Sequence, residues 1–144
     1  MRLCAKGRYA VMALIKIADS EVNVGKNKPV KLTNIADHNE ISRSYLEQLF
    51  RQLRQSGLVK GTRGPGGGYI LARASDQILI SDIVRAVDEA SYETGCGPLR
   101  DSDRAPQDVI NELWNELSDQ FYQFLSNISL EDMRTRSVKW ASAA

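Results

Sequence analysis

The sequence predicts a mostly α-helical protein with one small β-hairpin wing, arranged as a winged helix-turn-helix domain followed by a long C-terminal helix. Three patterns predict this fold class. Two helical segments joined by a short turn occupy residues 34–57, and two strand-like runs flank a glycine-rich turn at residues 63–68. Apolar residues then recur at heptad spacing between residues 110 and 128, which is typical of a long helix with one apolar seam.

The segment after Ser42 has the pattern of an amphipathic helix. Its apolar side chains recur at i, i+3, i+4 and i+7, which places them on one helix face: Leu46, Leu49, Phe50 and Leu53. Ser42 is expected to cap the start of this helix, and Gly57 supplies the left-handed residue that ends it. The opposite face carries hydroxyl, carboxylate, amide and guanidinium groups, the chemistry that hydrogen-bonds base edges and phosphates. The candidate DNA contacts on that face are Ser44, Glu47, Gln48, Arg51, and Arg54 or Gln55.

A hairpin follows this helix, with strands expected at Leu58–Thr62 and Tyr69–Ala72 and a tip of small residues between them. Arg63 stands at the base of the tip, and a compact tip around Gly66 fits a DNA minor groove. A glycine-rich loop can also cradle a nucleotide phosphate, but that motif requires a lysine, a hydroxyl residue and a helix after it, and here a strand follows. The wing of a DNA-binding domain is therefore the stronger interpretation.

The two halves of the chain carry opposite charge, although the net charge is only +1. Residues 1–75 hold 13 Lys/Arg against 5 Asp/Glu, whereas residues 76–144 hold 6 against 13. A basic half attached to an acidic half predicts a polyanionic partner for the first and a different role for the second. Arg2 and Lys6 stand at the start of the first expected helix, where the helix dipole disfavours cations, so they are either solvated charges or phosphate contacts.

Several protein classes are not expected from this sequence. Nothing resembles a signal peptide, and the longest apolar stretch, Tyr9–Leu14, is far too short to cross a bilayer. The two cysteines, Cys4 and Cys96, lie far apart and form no CxxC motif, so we expect a cytoplasmic protein with no membrane partner. The single histidine has neither a paired nucleophile nor metal-ligand spacing, so the sequence does not predict an enzyme.

Three further helices are expected where apolar residues recur at helical spacing: Met1–Asp19, Asn34–Asn39 capped by Thr33, and Asp82–Ala90 capped by Ser81. The first of them is apolar almost all round, which predicts a central core helix. Residues 91–106 are polar and rich in glycine, proline and charge. A loop of that length is usually functional or disordered.

A long helix is expected to begin at Gln107. Its seam steps by 4, 3, 4, 3 and 4 residues through Ile110, Trp114, Leu117, Phe121, Phe124 and Ile128. Such a stripe either lies on the core of its own domain or packs against the equivalent helix of a second copy, and its large side chains favour a homodimer. Two-fold proteins read two-fold operators, so a dimer also suits a DNA partner. Ser129 is expected to cap a last helical turn over Leu130–Thr135.

Several segments resemble the IscR family of winged-helix transcriptional regulators: MRLCAKGRYAVMAL, ISRSYLEQLFRQLRQSGLV, RGPGGGY and AVDE. The resemblance extends to about Met133. It implies a homodimer with an N-terminal winged helix, a long C-terminal dimerisation helix and a double-stranded DNA operator as its partner. It also implies DNA contacts at Ser42, Ser44, Tyr45, Glu47, Gln48 and Arg63. Glu47 stands where the family has a glutamate that helps to discriminate between operator types.

Family members with a cluster hold a 2Fe–2S group through three cysteines and a histidine in the loop before the long helix. Only Cys96 of this chain falls on one of those positions, since Ser102 and Asp108 replace the other cysteines and Asn111 replaces the histidine. One thiolate cannot hold a cluster, and Ser and Asn are poor ligands for one. We therefore expect no bound cofactor, with Cys96 acting as an oxidisable thiol or not at all. The alternatives are a 2Fe–2S cluster with an unusual ligand set around Cys96, or regulation by a partner or small molecule.

The resemblance and the composition together predict four parts of the chain. They are a DNA-binding domain over residues 1–75, a connecting helix and sensor loop over 76–106, a dimerisation helix over 107–135 and a flexible tail over 136–144. The expected function is that of a homodimeric, sequence-specific DNA-binding transcriptional regulator, expected to repress, which responds to redox or iron–sulfur status or acts without a cluster. A winged helix used only for protein contacts is the alternative, and the basic first half argues against it.

Overall fold

The computed structural model describes residues 5–88 and 108–137. In these ranges the elements are α1 (Ala5–Asn23), α2 (Leu32–Asn39), α3 (Arg43–Gln55), β1 (Val59–Thr62), β2 (Gly68–Leu71), a 3₁₀ turn (Ser75–Gln77), α4 (Ile80–Asp88), α5 (Asp108–Ser126) and α6 (Leu130–Thr135). The two strands form one antiparallel hairpin. The predicted fold class, mostly α-helical with a small hairpin wing, is confirmed.

Helix α1 lies at the centre of the core, as its composition predicts. Its buried face combines small and branched residues: Ala10, Ala13, Leu14, Ile17 and Ala18. A Cβ added at Gly7 would lie 3.5 Å from Val84, an ordinary van der Waals distance, so α4 packs closely against α1 at this position. The helix continues about one turn beyond the expected end at Asp19, because no breaking residue occurs before Gly25, which has a φ of 126°.

Helix α3 begins and ends at the residues that the sequence indicates. The Ser42 hydroxyl accepts a hydrogen bond from the Tyr45 amide at 3.3 Å, which satisfies one orphan donor of the first turn. Gly57 has a φ of 73°, and the amides of Gly57 and Leu58 donate to the carbonyls of Arg54 and Leu53. The four apolar residues at heptad-like spacing are buried, so the opposite face of α3 is fixed towards solvent.

The hairpin pairs Val59 with Leu71 and Thr62 with Gly68 at its two ends. The segment before α2 adds a third, one-residue strand, because Val30 and Tyr69 exchange two backbone hydrogen bonds of 2.9 Å. A Cβ at Gly68 would lie 2.3 Å from the Val30 carbonyl oxygen. Glycine is therefore required where this strand crosses the hairpin.

The C-terminal segment folds back onto the first half of the chain. The Ile80 amide donates to the Ile128 carbonyl at 2.9 Å, and the Leu130 amide donates to the Ile78 carbonyl at 2.7 Å. Ser129 caps α6 as predicted, in a capping box with Asp132. Helix α6 then packs against α1, so the core of the first half includes residues from the end of the chain.

A polar cluster anchors α6 at this junction. Glu131 accepts hydrogen bonds from the Arg134 guanidinium, through Nε at 3.0 Å, and from the Ser75 hydroxyl. The bond from Arg134 is the main reason that the pKa of Glu131 falls from 4.5 to about 2, and the bond from Ser75 adds to it. Arg134 also lies 3.8 Å from Asp19 of α1, which links α6 to the central helix.

The structure corrects three details of the sequence-based expectation. Helix α2 begins at Leu32 after Lys31, with no side-chain cap, so Thr33 is not its cap. Helix α4 begins at Ile80, where the Asp82 carboxylate accepts from the Leu79 amide, and Ser81 is a buried first-turn residue. The predicted apolar seam is also wrong at its last member. Ile128 lies beyond the end of α5 and is only 6% exposed, because its backbone pairs with Ile80 inside its own core.

Helix α5 packs on α4 through the C-terminal half of its length. Phe121, Tyr122 and Leu125 contact the core, and the Tyr122 hydroxyl donates to the Asp88 carboxylate at 3.2 Å. The Arg85 guanidinium lies 4.8 Å from the centre of the Tyr122 ring, a cation–π distance. Among the described helices, none combines the length and the apolar character that crossing a membrane requires.

Candidate nucleic-acid interface

The solvent-facing side of α3 presents a continuous polar surface. It carries one hydroxyl, one carboxylate, one amide and two guanidinium groups, all exposed: Ser44, Glu47, Gln48, Arg51 and Arg54. These side chains protrude because the apolar residues between them are held in the core by α1, α4 and the wing. A helix of this width with these groups fits a DNA major groove, where each base pair presents a distinct set of donors and acceptors.

An ion pair stands on this surface. The Arg43 Nε donates to the Glu47 Oε1 at 3.2 Å, one helical turn apart, and both side chains are more than half exposed. Glu47 is the only carboxylate among the polar residues predicted on this face, and the Arg43 guanidinium offsets its charge. Arg43 was not among the predicted contacts, although its spacing from Glu47 was visible in the sequence.

Tyr45 and Ser42 hold the start of α3 in place. The Tyr45 ring is half-buried and meets the Tyr9 ring edge-on, with centroids 5.9 Å apart and planes at 87°. The Ser42 oxygen accepts from the backbone as the helix cap, which leaves the hydroxyl proton to donate elsewhere. Ser42 and Tyr45, both predicted DNA contacts, thus orient helix α3 and lie at its N-terminal end.

A basic cleft opens between α3 and the wing. It has a volume of about 440 Å³. Its four cationic lining residues come from three parts of the chain: Lys31 before α2, Arg43 and Arg54 of α3, and Arg63 of the wing. No carboxylate is among the described residues that line it, and Thr33 adds a hydroxyl. The lining thus carries four cations and no carboxylate of its own, although Arg43 pairs with Glu47 beside it, and such a basic surface fits the phosphate backbone of a nucleic acid.

The wing is anchored to α3 and ends in a compact tip. The Tyr69 ring packs on the Phe50 ring with centroids 4.7 Å apart, which fixes the hairpin against the core. The Gly67 amide donates to the Gly64 carbonyl at 2.9 Å, closing a tight turn with Arg63 and Gly66 exposed. Among the described residues beyond its chain neighbours, none has an atom within 4 Å of a Cβ built on Gly66, so the tip is open at this position.

The remaining predicted site residues lie elsewhere. Lys6 is half-buried, and its charge acts on Asp88 of α4, whose pKa is raised by burial and lowered in part by Tyr122 and Lys6. Arg2, Cys4, Cys96 and Ser102 lie outside the described residues, as do the side chains of Asp108 and Asn111. In the part of the chain that is described, no three potential metal ligands come together.

Most of the predicted seam of α5 is exposed. The large apolar side chains on this surface are Val109, Ile110, Leu113, Trp114, Leu117 and Phe124, between 38% and 77% exposed. Phe121 differs, since it packs against the core of its own chain. We call the exposed set the α5 stripe. A contiguous apolar surface of this kind is typical of an interaction site.

Sequence reasoning missed three residues of the interface: Lys31, Thr33 and Arg43. Lys31 and Thr33 precede the polar helix face by more than ten positions, and only the pairing of Val30 with Tyr69 brings them beside the wing. Arg43 could have been found as a cation at the first position of α3, where the helix dipole disfavours it.

A helix with a polar solvent face, a basic cleft and an anchored wing are together typical of a winged-helix transcriptional regulator. Comparison with known proteins agrees with this class. The model of the Rrf2 family, described as iron-dependent transcriptional regulators, matches residues 3–136. The chain therefore belongs to the Rrf2 family.

Individual relatives point in the same direction. The HTH-type transcriptional regulator IscR of Photorhabdus laumondii is 42% identical over 133 residues, which is 92% of this chain and 79% of that protein. IscR of Escherichia coli O1:K1 / APEC is also 42% identical, over 92% of this chain and 80% of that protein.

Solved structures show the same fold. T. potens IscR superposes with a TM-score of 0.71 at 33% identity, covering 100% of this chain and 93% of that one. CymR, the global cysteine regulator of B. subtilis, superposes with a TM-score of 0.69 at 33% identity, covering 94% and 98%. The relatives are named as transcriptional regulators, so the expectation that this protein is not an enzyme is confirmed.

Proposed function

We propose that this protein is a homodimeric, sequence-specific DNA-binding repressor of the IscR type. The observation that carries the proposal is the basic cleft between α3 and the wing, which opens beside the polar face of α3. Cations in the cleft neutralise phosphates, and the adjacent helix face supplies the groups that read bases. We include a cytoplasmic location because the proposed partner is chromosomal DNA.

Each predicted contact has a role in this arrangement. Ser44, Glu47 and Gln48 face the base edges of the major groove, because they lie on the exposed side of α3 near its N-terminal end. Arg51 and Arg54 stand one and two turns further along, where they reach phosphates. Arg63 enters the neighbouring minor groove with the narrow tip around it. In this proposal, Arg2, Lys6 and Gly66 contact the DNA backbone at the periphery of the interface.

The α5 stripe supports the homodimer. Trp114 is 46% exposed and Phe124 is 41% exposed, although the described part of α5 packs on its own chain through Phe121 and Tyr122. One helix cannot hide both sides of itself, so the stripe is covered by the equivalent helix of a second copy. Two reading helices related by a two-fold axis then match two half-sites of an operator.

The family's iron–sulfur chemistry does not fit the residues of this chain. Of the four positions that hold a cluster in cluster-bearing relatives, only Cys96 retains a thiol, while Ser102, Asp108 and Asn111 supply hard oxygen donors. We propose that the protein binds its operator without iron, and that any redox response uses Cys96 as a thiol.

The experiment that tests the proposed function uses the full chain, prepared without oxygen. Duplexes are enriched from a randomised library, and their affinity is measured by fluorescence anisotropy over a range of salt concentrations, beside iron and acid-labile sulfide content. We expect an enriched two-fold site, affinity that falls steeply with salt, and the same affinity after chelation. Failure to enrich any sequence would favour a protein-interaction module instead.

The variant Cys96→Ser separates the two proposals about the sensor. We expect it to bind the enriched duplex as the wild type does, because neither cleft nor α3 includes this position. Iron and sulfide in stoichiometric amounts in the wild type, lost in Cys96→Ser, would establish an unusual cluster and contradict the proposal of a regulator without one.

A further inference from the structure

The Arg43–Glu47 ion pair is placed where it contributes little to the stability of its own helix. Arg43 is the first residue of α3, so its cation stands at the positive end of the helix dipole. An arginine that precedes a glutamate by four residues is also the less favourable order of such a pair. Both groups are exposed, and exposed ion pairs in water contribute little.

A second arginine makes this choice of partner informative. Arg51 follows Glu47 by four residues, in the order that stabilises a helix better, and it is exposed on the same face. The structure nevertheless pairs Glu47 with Arg43, at 3.2 Å. The bond engages Nε of Arg43, and Arg43 also lines the basic cleft, so the ion pair stands at the edge of that cleft.

The carboxylate has a definite chemical consequence at a DNA surface. It is repelled by phosphates, and among the base edges of the major groove it accepts a hydrogen bond best from the amino group of cytosine. An unpaired carboxylate pressed against any base without an amino donor would lose its water and gain nothing. A carboxylate that keeps a bond to Arg43 stays satisfied at every base, and its charge is offset when water leaves the interface.

We propose that Arg43 is a positioning residue that sets how strictly Glu47 discriminates between bases. With Arg43 in place, Glu47 prefers a cytosine but tolerates other bases at the pair that it faces. Without Arg43, the Glu47 carboxylate is satisfied only by an amino group on the base that it faces, and the protein binds poorly to DNA sites where that base has no amino group. This inference rests on the proposed DNA-binding function and adds to it the residue that tunes sequence tolerance.

The test is a comparison of affinity ratios rather than affinities. Duplexes enriched by the full-length wild type are resynthesised with each base pair substituted in turn, and dissociation constants are measured for wild type, Glu47→Ala, Arg43→Ala and the double variant. The pair whose preference disappears in Glu47→Ala is the one that Glu47 reads. At that pair, we expect Arg43→Ala to raise the ratio between the disfavoured and the preferred base by about tenfold. The double variant should show no preference there.

Arg51→Ala is the matched control, because it removes the same charge from the same helix at the same spacing from Glu47. It should weaken binding to all duplexes alike and leave the ratio unchanged, as expected for a phosphate contact. Equal weakening of all duplexes by Arg43→Ala, with additive effects in the double variant, would overturn the inference while leaving DNA binding intact. No preference lost in Glu47→Ala would also overturn it. Failure of the wild type to enrich any duplex would remove the proposed function itself, and the inference with it.

Discussion

Gly68→Ala should detach the wing from the segment before α2. The added Cβ would lie 2.3 Å from the Val30 carbonyl oxygen, 2.6 Å from its carbonyl carbon and 3.0 Å from the Lys31 amide nitrogen. All three are backbone atoms, so no side-chain rotation can relieve the overlap. The pairing of Val30 with Tyr69 must therefore open, and with it the position of Lys31 in the basic cleft.

The loss of stability in Gly68→Ala is set by the backbone hydrogen bonds that open. The two backbone hydrogen bonds between Val30 and Tyr69 are both 2.9 Å long. At a net contribution of about 0.5–1.5 kcal/mol for each bond, their loss destabilises the protein by roughly 1–3 kcal/mol. For a chain of this size, that corresponds to a fall in Tm of roughly 4–10 °C.

Thermal unfolding followed by circular dichroism measures the fall, and hydrogen exchange of the Val30 and Tyr69 amides locates it. Gly66→Ala is the matched control, because in the described part of the chain nothing beyond its chain neighbours lies within 4 Å of its added Cβ, and its backbone is not left-handed. We expect Gly66→Ala to melt as the wild type does. Gly68→Ala with an unchanged Tm, and with both amides still protected, would refute the argument that this crossing requires glycine.

Three further predictions concern the cleft, the stripe and the polar cluster under α6. Arg63→Ala should weaken binding to the enriched duplex by about 1–3 kcal/mol, measured by anisotropy. Arg73 is also exposed but lies outside the cleft, so Arg73→Ala should not weaken binding in this way. Equal effects of the two variants would contradict a special role of the wing. Phe124→Asp should convert the proposed dimer to a monomer in sedimentation. Val22→Asp, at a residue 63% exposed on α1, should leave the oligomeric state of the wild type unchanged. A wild type that sediments as a monomer would contradict the proposed dimer. Phe121 is left unchanged in this test, because it packs against its own core and its loss would unfold the protomer. Glu131 has a folded-state pKa of about 2 against an ordinary 4.5, so its stabilising contribution is complete above pH 4.5 and is lost as the pH falls towards 2. Glu131→Gln should abolish that part of the acid dependence of the unfolding free energy. If the variant has the same pH dependence of unfolding as the wild type, the cluster does not stabilise the protein in this way.

Helix α3 could be predicted from the sequence because the signals that form it are local. A cap, an apolar face with a period of 3.6 residues and a glycine in the left-handed region all act within one stretch of chain, so Ser42, Leu46 and Gly57 carry their meaning without a tertiary structure. The same holds for the wing, where the glycine-rich segment 63–68 follows one strand-like run and leads into the next. The membership of the Rrf2 family likewise follows from contiguous motifs.

The basic cleft could not be predicted, because its parts are distant in the sequence. Lys31 joins Arg63 only through the one-residue strand at Val30, and a single pair of backbone hydrogen bonds has no periodic pattern to reveal it. The choice of Arg43 over Arg51 as the partner of Glu47 is likewise a matter of side-chain geometry, since both spacings are equal.

The sequence by itself thus determined the elements, the polar face of α3 and the existence of an apolar seam on α5. The tertiary structure alone decided where that seam ends. Ile128 continues the heptad spacing of Trp114 and Phe121, but the chain turns back after Ser126, and the segment around Ile128 pairs with Ile78 and Ile80. Burial against one's own core and burial against a second copy require the same apolar side chains, and only the path of the chain distinguishes them.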